Sequence, residues 1–205
     1  MADQHHVASI AQLEALFGPV GDASIRKEVG FIHPQYRALI EASPFAVLAT
    51  SGAGGLDASP RGDPPGFVVV QDAHTLLLPE RRGNNRVDSL RNLIDDPRMA
   101  LLFLVPGVGE TLRVNGRARI STEPALMQRL AMDGKPPQCV LVITVETVYF
   151  QCARALQRSK LWEPVAGRPA GVPTAGAMLS ALTDRGIDGE AYDKALPERQ
   201  RTTLY

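Results

Sequence analysis

Three arginines in LLLPERRGNNRVDSL, the stretch from Leu76 to Leu90, have the spacing of an anion site. Arg81, Arg82 and Arg86 fall between an apolar run and the start of a helical pattern, among Gly83, Asn84 and Asn85. The free N–H groups and macrodipole of a helix start attract negative charge. Guanidinium groups add a planar set of donors suited to phosphate oxygens, each charged hydrogen bond contributing about 1.5 to 3 kcal/mol. The segment reads as a phosphate site or, equally, as a solvated basic loop; local composition does not separate the two.

SPRGD, from Ser59 to Asp63, is a second candidate, because Arg61 and Asp63 flank Gly62, which lets a ligand approach the backbone closely. Its plain alternative is a turn leading into Pro64 and Pro65. RSKLW, from Arg158 to Trp162, joins two cations to the only tryptophan, which can stack on a flat ligand or simply close a core. Nucleophilic catalysis has thin support, since a nucleophile needs a base and two of the four histidines, His5 and His6, sit at the N-terminal end. His33, before a helix, and His74, in a turn, read as solvated or backbone-bonded. No paired-cysteine or paired-histidine zinc spacing occurs. Cys139 and Cys152 read as ordinary reduced thiols.

The elements that must position these residues follow from periodicity. Ser9 to Phe17 and Pro34 to Ala42 have helical patterns, the second entered through a proline in its first turn. FAVLAT (Phe45–Thr50) predicts a buried strand, SGAGG a turn, and LDASPRGDPPGFVVVQ a strand interrupted by prolines and resuming at Phe67. TLLL, after QDAH, completes a hairpin. Asn85 is the expected cap of the next helix, with Val87, Leu90 and Ile94 as its apolar stripe and Asp95-Asp96-Pro97 as its stop. Met99–Val105 is an apolar strand. Thr111–Ile120 is a long one that alternates: Thr111, Arg113, Asn115, Arg117 and Arg119 share one face, and Leu112, Val114, Gly116, Ala118 and Ile120 the other. Arg117 and Arg119 suit an exterior face, whereas Thr111 and Arg113 are better placed to meet a ligand. Thr122 is the expected cap of a helix reaching about Met132, and Cys139–Phe150 is another strand. At least five strands with short turns predict a mainly β fold, an antiparallel barrel or sandwich with peripheral helices. Three segments are expected: an N-terminal helical segment over 1–30, the barrel over 31–163, and a linker with a helical tail over 164–205.

Composition bounds the function. Twenty-two basic residues balance 22 acidic ones, so the basic excess that usually marks nucleic-acid binding is absent. The apolar runs fall well short of the roughly 18 residues of a membrane span, and the N-terminus does not read as a secretory signal. The expectation is a cytoplasmic protein with no nucleic-acid or membrane partner.

The order of motifs is more specific than any one of them. FAVLAT, DASPRGDPPGF, TLLLPERRGNNRVDSLRNLIDDPRMALLFLVPG, ETLRVNGRARI and CARALQRSKLW, in that order over about residues 30 to 163, resemble the FMN-binding proteins related to pyridoxamine 5'-phosphate oxidase, in particular a subgroup carrying SPRGD. That resemblance implies an FMN-binding split β-barrel, usually a homodimer with FMN where the subunits meet. It implies that Arg61, Gly62 and Asp63 line the flavin, that Pro79, Arg82, Asn85 and Arg86 hold its phosphate, and that Thr111 and Arg113 lie nearby. Arg158, Ser159 and Trp162 would close the site, from the other subunit if the family arrangement holds. The chain departs from the oxidase proper at Gly62-Asp63-Pro64-Pro65, where that enzyme continues with apolar residues and a substrate-binding lysine, so its substrate does not carry over. The implied function is FMN-dependent oxidoreduction of a small molecule by hydride transfer through flavin N5. The alternatives are a non-catalytic flavin-binding or flavin-sensing protein, and, against the phosphate-type loop, a barrel that holds haem or a deazaflavin.

Overall fold

Leu76, Leu77 and Leu78 are all fully buried, which a strand achieves only with both faces covered. In the computed structural model, which describes residues 5–205, their strand has that position. The elements in chain order are α1 (Ile10–Phe17), α2 (Asp22–Arg26), α3 (Pro34–Ala42), β1 (Phe45–Gly52), β2 (Gly55–Gly62), β3 (Val69–Asp72), β4 (Thr75–Glu80), α4 (Asp88–Asp95), β5 (Arg98–Leu104), β6 (Thr111–Ser121), α5 (Pro124–Arg129), β7 (Cys139–Gln151), α6 (Arg154–Ser159), α7 (Ala175–Leu182) and α8 (Gly189–Thr202). Leu76 and Leu78 join the main core, while Leu77 meets Leu130 and Val140 in a second cluster under α5. The first four residues of the expected N-terminal segment lie outside the described residues.

Seven strands form one antiparallel sheet in the order β2-β1-β5-β6-β7-β4-β3. The sheet curls until β2, at one edge, meets the C-terminal end of β4, next to the other, so the architecture is a split β-barrel with peripheral helices. Pro60 lies in β2 without breaking it, since an edge strand can spare a ladder donor. The expected alternation of β6 holds: Leu112, Val114, Gly116 and Ala118 are buried, while Arg117 and Arg119 are exposed. Its pairing with β7 shifts between Asn115 and Gly116. A Cβ on Gly116 would sit 2.1 Å from the Thr144 carbonyl oxygen, so glycine is what lets the two backbones close there.

Two helix starts differ from expectation. Asn85 does not cap α4; it has a left-handed φ of 60°, and the cap position belongs to Val87, also left-handed at 51° and without a side-chain hydrogen bond. Asparagine is among the non-glycine residues that adopt that conformation most readily. Ile94 is exposed rather than part of a core stripe; α4 buries Ser89, Asn92 and Leu93 instead. Thr122 likewise does not cap α5, because Pro124 occupies its first turn and Glu123 takes the cap position, and the helix ends at Arg129, short of Met132. Beyond α6 the chain runs without regular structure to α7 and α8, which pack on each other where the Gly176 N–H donates to Asp193 Oδ1 at 2.8 Å.

Candidate functional site

Where the ends of the sheet meet, the structure has a cavity of about 640 Å³, walled by β2 on one side and by the end of β4, its following loop and the first turn of α4 on the other. The polar residues of β2 recur every second position, Asp57, Ser59 and Arg61, and Asp63 just past its end continues the series; all four line the cavity, as the period of a strand requires. The second turn of α4 is held against β1 and the start of β2 by Asn92, whose Nδ2 donates to Thr50 Oγ1 at 3.2 Å and to the Gly55 carbonyl at 3.1 Å. Gly52 makes room for it, since a Cβ there would lie 2.6 Å from Asn92 Oδ1.

Two half-buried ion pairs stitch the split. Arg61 Nε donates to Glu80 Oε1 at 2.8 Å, with the side chains 16% and 11% exposed; its Nη1 reaches Ser59 Oγ at 2.7 Å and its Nη2 Ser89 Oγ at 3.4 Å. Ser89 in turn donates to Asp57 at 2.5 Å. Arg81 Nε donates to Asp63 Oδ2 at 3.0 Å and its Nη1 to the Leu130 carbonyl at 2.9 Å. The other carboxylate oxygen of Asp63 accepts the Tyr205 hydroxyl at 2.5 Å. Burial pushes the Glu80 carboxyl above its ordinary range even though the Arg61 charge and hydrogen bond pull it down, and burial likewise raises the Cys139 thiol, with the Glu80 charge adding to it.

Four arginines and four carboxylates line the cavity: Arg61, Arg81, Arg82 and Arg86 against Asp57, Asp63, Glu80 and Asp88. Three pairs cancel, because Arg86 Nε also contacts Asp88 at 2.5 Å on the exposed side. Arg82 is exposed and makes no hydrogen bond or ion pair among the described residues, and Asp57 is engaged by Ser89. The lining is therefore formally balanced, since Asp57 keeps its charge beside the neutral Ser89 hydroxyl; among the described residues Arg82 is the cavity guanidinium without a protein partner, and Arg86 is held only by a solvent-exposed pair, which is worth little. Left-handed Asn85 and Val87 bring the chain round between them; for a β-branched residue such as Val87 that conformation is an outlier, of the strained kind concentrated at ligand sites.

Of the residues singled out from sequence, Arg61, Gly62, Asp63, Pro79, Arg82, Asn85 and Arg86 converge on this cavity. Thr111, Arg113, Arg158, Ser159 and Trp162 do not line it. Arg113 Nη1 donates to the Tyr149 hydroxyl at 2.8 Å, Ser159 Oγ to the Leu156 carbonyl and Trp162 Nε1 to the Val108 carbonyl at 2.8 Å, so these residues belong to the region of β6, β7 and α6. His33 accepts the Gln35 N–H at the start of α3, a backbone-bonded histidine as expected. Sequence reasoning missed Asp57, Glu80, Ser89 and Tyr205. Asp57 was legible in the alternation D-x-S-x-R-x-D, whereas Tyr205, 142 positions from Asp63, carries no local signal.

Comparison with known proteins decides the family. The model of the pyridoxamine 5'-phosphate oxidase family matches residues 32–152, more than half of the chain. The chain belongs to the pyridoxamine 5'-phosphate oxidase family. The matched span contains both walls of the cavity and the whole sheet, and leaves α6, with Arg158, Ser159 and Trp162, and the α7–α8 tail outside it. No curated protein matches the chain. Solved structures similar to it include HupZ from Group A Streptococcus, at 23% identity over 59% of this chain and 94% of that one, with a TM-score of 0.48. A protein related to general stress protein 26 from Clostridium acetobutylicum shares 17% identity over 58% and 86%, with a TM-score of 0.45. The FAD binding protein from Mycobacterium smegmatis shares 14% over 60% and 97%, with a TM-score of 0.41.

Proposed function

We propose that this member of the pyridoxamine 5'-phosphate oxidase family is an FMN-dependent oxidoreductase acting on a small molecule, with FMN held in the cavity between β2 and α4. The observation that carries the reading is the uncommitted Arg82 beside the start of α4, an arrangement suited to an anion. The residues fit a flavin phosphate: Arg82 meets it directly, and Arg86 turns from Asp88 to the stronger, doubly charged acceptor. Pro79 and Asn85 shape the loop, and Arg61 and Gly62 of β2, with Asp63 just beyond it, line the flavin. Bound FMN supplies hydride transfer at N5. The chain's own task is to bind and orient, since Asp57, Asp63, Glu80 and Asp88 are each bonded to a neighbour and none stands free as a general base.

Thr111, Arg113, Arg158, Ser159 and Trp162 reach the flavin from a second copy of the chain in a homodimer. The exposed Ile10, Leu16 and Phe17 of α1 support an assembly that covers apolar surface. The protein works in the cytoplasm, with neither nucleic acid nor membrane as partner. Among the described residues no helix is long and apolar enough to cross a membrane.

A cavity whose residues bind and orient also fits a second reading, a flavin-binding or flavin-sensing protein without turnover. Anaerobic addition of NADH or NADPH to the FMN-loaded protein separates them. The oxidoreductase reading expects the visible flavin absorbance to bleach and to return with an electron acceptor; FMN that stays bound and oxidised with both donors and with candidate substrates supports the second reading.

A further inference from the structure

The loop that presents Arg82 and Arg86 has little to hold it. From Arg81 to Arg86 it makes no backbone–backbone hydrogen bond outside the regular elements, among the described residues. Its internal tie is the short bond from the Arg86 N–H to Asn84 Oδ1. Apart from the exposed Arg86–Asp88 pair, which ties its last residue to α4, its side-chain tie to the rest of the protein is Arg81, which reaches across the split to Asp63 and the Leu130 carbonyl. Asp63, whose side chain is 3% exposed, has one oxygen on Arg81 and the other on the Tyr205 hydroxyl. The Tyr205 ring lies 5.9 Å from the Arg81 guanidinium, and Lys135 Nζ donates to the Tyr205 carbonyl at 3.2 Å, so the tail residue is held from two sides.

We infer that Tyr205 is a positioning residue of the proposed flavin site: through Asp63 it fixes the orientation of Arg81, and so the loop that offers Arg82 and Arg86 to the phosphate. This rests on the reading of the cavity as an FMN site. Tyr205 does not line the cavity, so it acts through its partners. A carboxylate buried this deeply needs each oxygen satisfied to keep one orientation. The phenol is protonated at neutral pH and so can donate, and its hydrogen bond to the Asp63 carboxylate pushes it further above its ordinary range. The tail following the barrel, which lies outside the family match, is on this account part of the binding site's support.

The test compares Tyr205→Phe, which keeps the ring and removes the donor, with wild type and with Tyr192→Phe, a tail control whose ring contacts Arg199 instead. FMN and riboflavin affinities are measured by flavin fluorescence, and amide exchange is followed over residues 81–87. The expected result is FMN affinity lower by about 5- to 10-fold in Tyr205→Phe, riboflavin affinity nearly unchanged, faster exchange in the loop, and no change in Tyr192→Phe. Wild-type FMN affinity in Tyr205→Phe, or equal losses for both flavins, overturns the inference and leaves the cavity reading standing. If wild type binds neither flavin, the cavity reading falls, and exchange alone decides the clamp: faster exchange in Tyr205→Phe upholds it, and unchanged exchange overturns it.

Discussion

Arg81 and Arg82 are neighbours of the same type and have opposite fates. Arg81 is spent on Asp63 across the split, and Arg82 is left to solvent. Sequence alone marks both as candidates, because what separates them is a carboxylate 18 positions away on another strand. Glu80 is the same lesson in reverse: it ends an apolar run, and only the closed sheet shows that it is buried against Arg61. Since burial raises Glu80 in the folded protein, folding favours its protonated form. Its contribution to stability is full below the ordinary carboxyl value of 4.5 and is lost as pH rises through the raised value. Glu80→Gln removes that component, so the Tm of wild type should fall relative to that of the variant as pH rises from about 4 to about 7. Calorimetric melts across that range check it; parallel Tm profiles would mean that Glu80 does not titrate against folding.

Strands were easier to read than helix starts. The alternation of β6 and the apolar runs of β1, β5 and β7 state which faces are buried, because a period of two leaves few ways to place them. Helix starts depend on which residue turns the chain, and here Val87 and Glu123 displaced the better-capping Asn85 and Thr122. At Asn85 a left-handed turn replaced the cap; before α5, Pro124 set the helix start. The register shift at Gly116 was invisible in the alternation, since glycine fits either face, yet it has a measurable consequence. Gly116→Ala would drive a methyl group into the Thr144 carbonyl, so the β6–β7 ladder must shift, and we expect a loss of about 2 to 4 kcal/mol in urea unfolding. A loss within about 0.5 kcal/mol would mean that the bulge relaxes freely.

The barrel and its family were legible because ordered motifs survive as a pattern along the chain, and the cavity was half legible. Its two walls, SPRGD and the arginine loop, are local stretches; their closure by Arg61–Glu80 and Arg81–Asp63, and the arrival of Tyr205 from the tail, are long-range contacts that no window of sequence contains. Thr111, Arg113 and Trp162 lie away from the cavity, so the expected residues form two separate sets on one chain, and it is only the proposed homodimer that would unite them. What the whole molecule is built to hold is tested most directly by comparing FMN with riboflavin, which differ by the phosphate alone, in titrations of wild type, Arg82→Ala and Arg86→Ala. Wild type is expected to prefer FMN by at least about 100-fold, and each variant to lose about 10-fold or more of FMN affinity while riboflavin affinity hardly changes. Equal binding of the two flavins by wild type, or variants that keep its preference for FMN, would contradict it.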